Sequence, residues 1–202
     1  MAAGTVNWQS WTTLSNDELA AHDVAEINLS IAHGLPGAEN LDIAAYLSKL
    51  DRWADQVRAY TERSLPRFRR TPAEWWNCES RFRILCMVTV LQRDLGVSDN
   101  MDFVEGPRNA SDSRTHFIHG PLSGFGGTCV NLPVLYLAVG RRLGYPLKRV
   151  SAKEHLFVRW RGAVVFNIEA TSIGFEPRSD EYHTRTPRVL SPREAQRRQV
   201  VE

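Results

Sequence analysis

The apolar residues of this chain change their spacing partway along. Up to Gly96 they recur every three or four residues, as on a helix that buries one face; from Leu147 to Ala170 they alternate, as in strands. Helices first and a short run of strands afterwards make an α+β chain.

The helical part has three segments. Ser15, Asn16, Asp17 and Glu18 form a capping-box pattern, and a helix is expected from there to about Ala32, ended by Gly34, Pro36 and Gly37. Ile43, Leu47, Leu50, Trp53, Val57 and Tyr60 mark a second, strongly amphipathic helix starting near Asn40. Thr71 followed by Pro72 starts a third, running through Trp75, Phe82, Leu85, Val88 and Leu91 to Gly96. The basic run Arg63, Arg67, Arg69, Arg70 between the last two reads as a solvated connector.

From Ser98 to Thr128 the periodicity fails and the stretch reads as a long loop, closing on Gly120, Pro121, Gly124, Gly126 and Gly127. Cys129 to Leu143 then reads as a buried helix. Strands are expected at Leu147–Ala152, His155–Trp160 and Val164–Ala170, the last two joined at Arg161, Gly162 and Ala163 as an antiparallel hairpin. The tail is polar, with a helix start at Ser191, Pro192, Arg193, Glu194. The division is thus a helical region over 1–97 and a core over 98–202, built as one compact unit.

Composition removes several classes of function. With 25 Lys+Arg against 23 Asp+Glu the formal charge is +2, far from the positive field that binding to a nucleic-acid backbone needs. The longest mostly apolar stretch, Val130 to Gly140, falls short of the roughly 20 residues of a membrane helix. The N-terminus has no basic segment with an apolar run behind it, and the expectation is a soluble, cytoplasmic protein without membrane or nucleic-acid partners. Three cysteines make no disulfide framework and no zinc knuckle.

Cys78 and Cys86 lie within the third helix and read as small hydrophobes. Cys129 stands apart. It follows a glycine-rich loop and Thr128 and opens a helix, whose free N–H groups and dipole favour a thiolate. Pro133 has no N–H to offer the Cys129 carbonyl, so the turn stays open there. A nucleophilic thiol needs a base and a group that orients the base. His155, at the start of a strand just after the cysteine segment, is the candidate base. Asn167 and Glu169 share one strand face and are the candidates for the third role; the alternative is that both face solvent. Phe125 and Trp160 are candidate lining residues. His116 and His119 lack the spacing of a zinc motif, and His22, His33 and His183 read as surface or satisfied residues, so neither metal nor cofactor is expected.

The run Gly126-Gly127-Thr128-Cys129-Val130-Asn131-Leu132-Pro133, the strand His155-Leu156-Phe157-Val158-Arg159 and the segment Asn167-Ile168-Glu169-Ala170-Thr171 together resemble the transglutaminase-like superfamily. The likeness is to its bacterial SirB-type branch, in which a helical region precedes the cysteine. The resemblance implies a papain-like core with a cysteine helix packed on an antiparallel sheet, Cys129 as nucleophile, His155 as general base and acid, and Glu169 where the family usually has aspartate. Lys153 and Glu154 stand where many members have glycine before the histidine. The activity implied is attack on a peptide or glutamine amide through an acyl-enzyme, ending in hydrolysis by a peptidase, amidase or deamidase. The alternatives are a non-catalytic interaction module and a cross-linking transamidase. The partner implied is a peptide or protein substrate.

Overall fold

The structure is a computed structural model that describes residues 8–100, 111–152, 155–175 and 177–185. Ser15 accepts the Glu18 N–H while the Glu18 carboxylate accepts the Ser15 N–H at 2.8 Å, and this capping box starts α1, Asn16–Ala21. The expected run to Ala32 is two helices rather than one. His22 is extended, and the Asp23 carboxylate accepts the Ala25 N–H at 2.8 Å, capping a new helix, α2, Val24–Ala32.

The amphipathic segment forms α3, Ile43–Arg70, capped by Asp42 and burying Leu50, Trp53, Ala54, Val57, Thr61 and Phe68. It continues through Pro66, so the expected basic connector is its last two turns instead. Guanidinium groups at a helix C-terminus meet its dipole favourably, and two lie over rings, Arg63 at 4.9 Å from the Tyr60 centroid and Arg67 at 5.4 Å from Trp75. The expected third helix is broken. A 3-10 turn, Pro72–Trp75, ends at Trp76 and Asn77, both at positive φ, and α4, Glu79–Thr89, begins after them and passes into a π turn over Val90–Asp94.

The stretch read as one long loop has structure of its own. Asp99 bridges Gly127, Ser113–Thr115 is a 3-10 turn, and His119–Ser123 forms α5. It docks through polar bonds that apolar spacing does not register: Ser113 Oγ donates to Pro36 O at 2.7 Å, and the Ile118 N–H to Asn28 Oδ1 at 2.9 Å.

Next comes α6, Leu132–Arg142, buried from Leu132 to Gly140. It starts three residues later than expected, so Cys129 lies in the turn before the helix and does not open it. Three antiparallel strands follow in the order β1 (Leu147–Ala152), β2 (His155–Arg161), β3 (Val165–Ile168). Ala152 pairs with His155, and Arg159 with Asn167. The last strand is shorter than expected, and Glu169 lies just past its end. The short helix α7, Asp180–Arg185, closes the described chain. Lys153, Glu154 and the helix expected from Ser191 lie outside the described residues. One buried cluster runs from Ala25 on α2 through α3, α4 and α6 to Ala170, so the sheet packs against the helices through a shared apolar core.

Candidate active site

Three segments converge: the turn before α6, the start of β2 and the residues after β3. The turn is built around Asn131, which is fully buried. Its Oδ1 accepts the Thr128 N–H at 2.7 Å, and its Nδ2 donates to Arg114 O at 2.9 Å and Phe117 O at 3.2 Å. The Thr128 hydroxyl donates to Thr115 O at 2.9 Å and accepts the Val130 N–H at 3.1 Å. Gly127 has no room for a side chain, since a Cβ there would lie 2.4 Å from the Leu132 side chain. Cys129 is therefore fixed in a rigid turn, half-buried, just before a helix N-terminus. Its own N–H has no backbone acceptor among the described residues, whereas its neighbours' N–H groups are both engaged.

The Cys129 thiol lies beside His155, close enough to act on the ring. On the far side of the ring, Nε2 lies 2.6 Å from Glu169 Oε2, which leaves Nδ1 for the sulfur. Glu169 is nearly buried, and its other oxygen accepts from the Thr171 N–H at 3.1 Å and the Thr171 hydroxyl at 2.6 Å. Burial opposes ionisation of Glu169, but the His155 and Thr171 bonds outweigh it and hold the carboxyl below the usual range. Burial likewise works against a charged His155, and the interactions with Cys129 and Glu169 outweigh it, pushing the imidazole up to about 9.

Asn167 does not join this group. Its Oδ1 accepts from Arg159 Nε at 2.8 Å, and its Nδ2 donates to Arg178 O at 2.9 Å and Asp180 Oδ1 at 2.8 Å. Arg159 also pairs with Asp180. Asn167 and Glu169 are buried, so the solvent-facing alternative does not hold. What Asn167 does is tie α7 to the sheet, and α7 brings in a residue that the sequence reading took as surface or satisfied.

That residue is His183. Its side chain is 0% exposed, it stacks on Phe157 at 3.8 Å between centroids, and it lies 5.7 Å from the His155 ring. Nδ1 is 3.6 Å from Glu169 Oε2, and neither ring nitrogen has a hydrogen-bond partner among the described residues. Burial, partly offset by the charge of Glu169, drives the imidazole down to about 4, so it is neutral beside the charged pair.

Trp160, read as a lining residue, is in the core: it packs against Tyr145 at 5.2 Å and Phe166 at 5.9 Å, on the sheet face opposite His155. Phe125 is half-buried under the Arg114 guanidinium, 4.2 Å from its centroid. Cys86 is buried, its thiol pushed up to about 11, mainly by burial, and half-buried Cys78 immediately precedes α4 without a side-chain bond to it. His119 is buried, 3.2 Å from Ser113 Oγ, and His22 stands edge-on to Trp11. Among the described residues, those placed to hold a metal are His155, Glu169 and His183, with donor atoms within 4.8 Å of one another. Two donors on one tetrahedral zinc lie about 3.3 Å apart, so the 2.6 Å His155–Glu169 bond would have to open first.

A family model described as the transglutaminase-like superfamily matches residues 44–193. No curated protein and no solved structure matches the chain.

Proposed function

The chain belongs to the transglutaminase-like superfamily, and within it we propose a cysteine-dependent enzyme that cleaves an amide of a peptide or protein through an acyl-enzyme. The observation that carries this reading is the 2.6 Å His155–Glu169 hydrogen bond with the Cys129 thiol beside the same ring. A thiol alone is a slow nucleophile; one paired with a histidine that a buried carboxylate keeps protonated reacts as thiolate beside imidazolium.

Thiolate attack on the carbonyl carbon forms a tetrahedral oxyanion, for which the Cys129 N–H, without a backbone acceptor among the described residues, is a candidate donor. Collapse breaks the C–N bond, and the His155 imidazolium gives its proton to the departing amine or ammonia. The acyl group is left as a thioester. Neutral His155 then takes a proton from water as it attacks, and the second collapse releases the carboxylic acid and the cysteine. Glu169 keeps the ring oriented throughout. Water as the acceptor makes the enzyme a hydrolase, which is the reading adopted here. No described helix is long and apolar enough to cross a membrane, and three unpaired cysteines fit a reducing compartment, so the cytoplasm is the proposed location.

The test is to trap the thioester. The protein is mixed with a p-nitrophenyl acyl ester, quenched in acid and mapped by mass spectrometry. The expected result is one acyl group on Cys129, absent from Cys129→Ala; ester turnover that survives in that variant would overturn the mechanism.

A further inference from the structure

His183 is fully buried, and it stacks on Phe157 at 3.8 Å between centroids with the planes 8° apart. A phenylalanine would make the same contact without carrying polar atoms into the core. Neither His183 nitrogen has a hydrogen-bond partner among the described residues, and an unpartnered buried polar group costs about 1–3 kcal/mol. A neighbouring charge that attracts the ring's dipole offsets such a cost.

That charge is on Glu169. Its Oε2 holds His155 Nε2 at 2.6 Å and lies 3.6 Å from His183 Nδ1. The second distance is beyond hydrogen-bond range, so the interaction is that of an N–H dipole with an anion. A neutral imidazole carries its proton on one nitrogen. With the proton on Nδ1 the dipole attracts the carboxylate; with it on Nε2, a lone pair would stand beside a buried negative charge. The fold sets this distance from outside the pair: Asp180, the first residue of α7, is held by Arg159 and by Asn167 Nδ2 at 2.8 Å.

One step of the reaction strains Glu169. While His155 is an imidazolium, the carboxylate is paired with a full positive charge. Once the ring has given its proton to the departing amine, Glu169 is a buried anion beside a neutral ring, supported by the two Thr171 bonds and the His183 dipole. We propose that His183 is a positioning residue that acts through Glu169: its Nδ1–H steadies the carboxylate as His155 gives up its proton, and so speeds cleavage of the C–N bond. The inference rests on the acyl-transfer reading for its place in the reaction. An ester whose leaving group departs as a stable anion takes no proton from His155, so its attack on the thiol should depend on His183 far less than amide cleavage does.

The test compares the p-nitroanilide and the p-nitrophenyl ester of N-acetylglycine. His183→Phe, which keeps the ring on Phe157, should lower kcat for the anilide about tenfold with KM unchanged, and slow the p-nitrophenolate burst from the ester far less. His183→Asn keeps an N–H at the δ position and loses the ring, so it should recover most of the anilide rate; a purely structural role would rank Phe above Asn. In a Glu169→Gln background His183→Phe should add little, and an undiminished tenfold loss there overturns the route through Glu169. NMR of the 15N-histidine protein tests the proposal without turnover: the His183 signals, assigned by their loss in His183→Phe, should show the proton on Nδ1, and a proton on Nε2 overturns it. Iodoacetamide labelling of the native thiol separates the two readings. A reactive Cys129 with equal anilide rates in parent and His183→Phe removes only the role of His183. The Nδ1–H form with an inert Cys129 removes the acyl-transfer reading and leaves His183 as the partner of Glu169.

Discussion

The Nε2 of His155 lies 2.6 Å from the Oε2 of Glu169, and the two residues come from adjoining segments of one hairpin. In register, His155 would face residue 171, so Glu169 reaches it diagonally from two positions before, and Thr171 holds the second carboxylate oxygen. The longer reach of glutamate over aspartate suits that diagonal.

Glu169→Gln keeps the size of the side chain and removes its charge. Its expected effect is a loss in kcat/KM on the order of 10²-fold or more. The alkaline limb of the rate profile, set by His155 at about 9 in the parent, should move to lower pH. A profile unchanged in position would mean that another group orients the ring.

His155 also ties stability to pH. Its folded value, about 9, exceeds its ordinary 6.5, so the stability it contributes is fully present below pH 6.5 and is lost as the pH rises through about 9. Melting temperature measured from pH 6 to 10 should fall over that window in the parent and be flatter in His155→Gln.

His183 carries the opposite sign. Buried neutral against Phe157, near Glu169, His155, Asp180 and Arg159, it has a folded value near 4 against 6.5 unfolded. Its stabilising contribution is complete above pH 6.5 and is lost as the pH falls toward 4, with a slope of at most about 1.4 kcal/mol per pH unit. His183→Phe, which keeps a ring on Phe157, should flatten the acid limb of the melting curve. An acid limb as steep as the parent's would remove His183 as its source.

Asn131→Ala should strip the cysteine turn of its support. Three hydrogen bonds to a fully buried side chain are lost, a destabilisation on the order of 3 kcal/mol, which for a chain of this size is roughly 10 °C in melting temperature. Urea unfolding measures the first quantity directly, and a loss below about 1 kcal/mol would mean that the turn is held by other contacts.

The parts legible in the sequence were those encoded locally. Ser15 and Glu18 sit three apart and form their box, the apolar stripe of α3 gives its buried face, and the alternation in β2 and β3 gives the hairpin. That same alternation puts Trp160, an odd number of residues from His155, on the opposite face, a consequence of period two that the lining assignment overlooked. The breaks came from single side chains or backbone angles: Asp23 capping a new helix, and Trp76 and Asn77 at positive φ. His183 was out of reach because its position depends on Arg159, Asn167 and Asp180 meeting across the fold. Asn131 left a faint signal, an amide three residues after Thr128 and next to a helix start, which is the pattern of a side chain capping its own turn.

The account stands most directly on the working pair of Cys129 and His155. Iodoacetamide labelling of Cys129, followed by mass spectrometry from pH 5 to 10 in the native protein and in His155→Ala, measures it. The account predicts fast labelling already at mildly acid pH in the native protein, and in the variant a rate that climbs only near pH 8.5, as for an unassisted thiol. Superimposable profiles in the two proteins would contradict it, because the histidine would then do nothing for the sulfur.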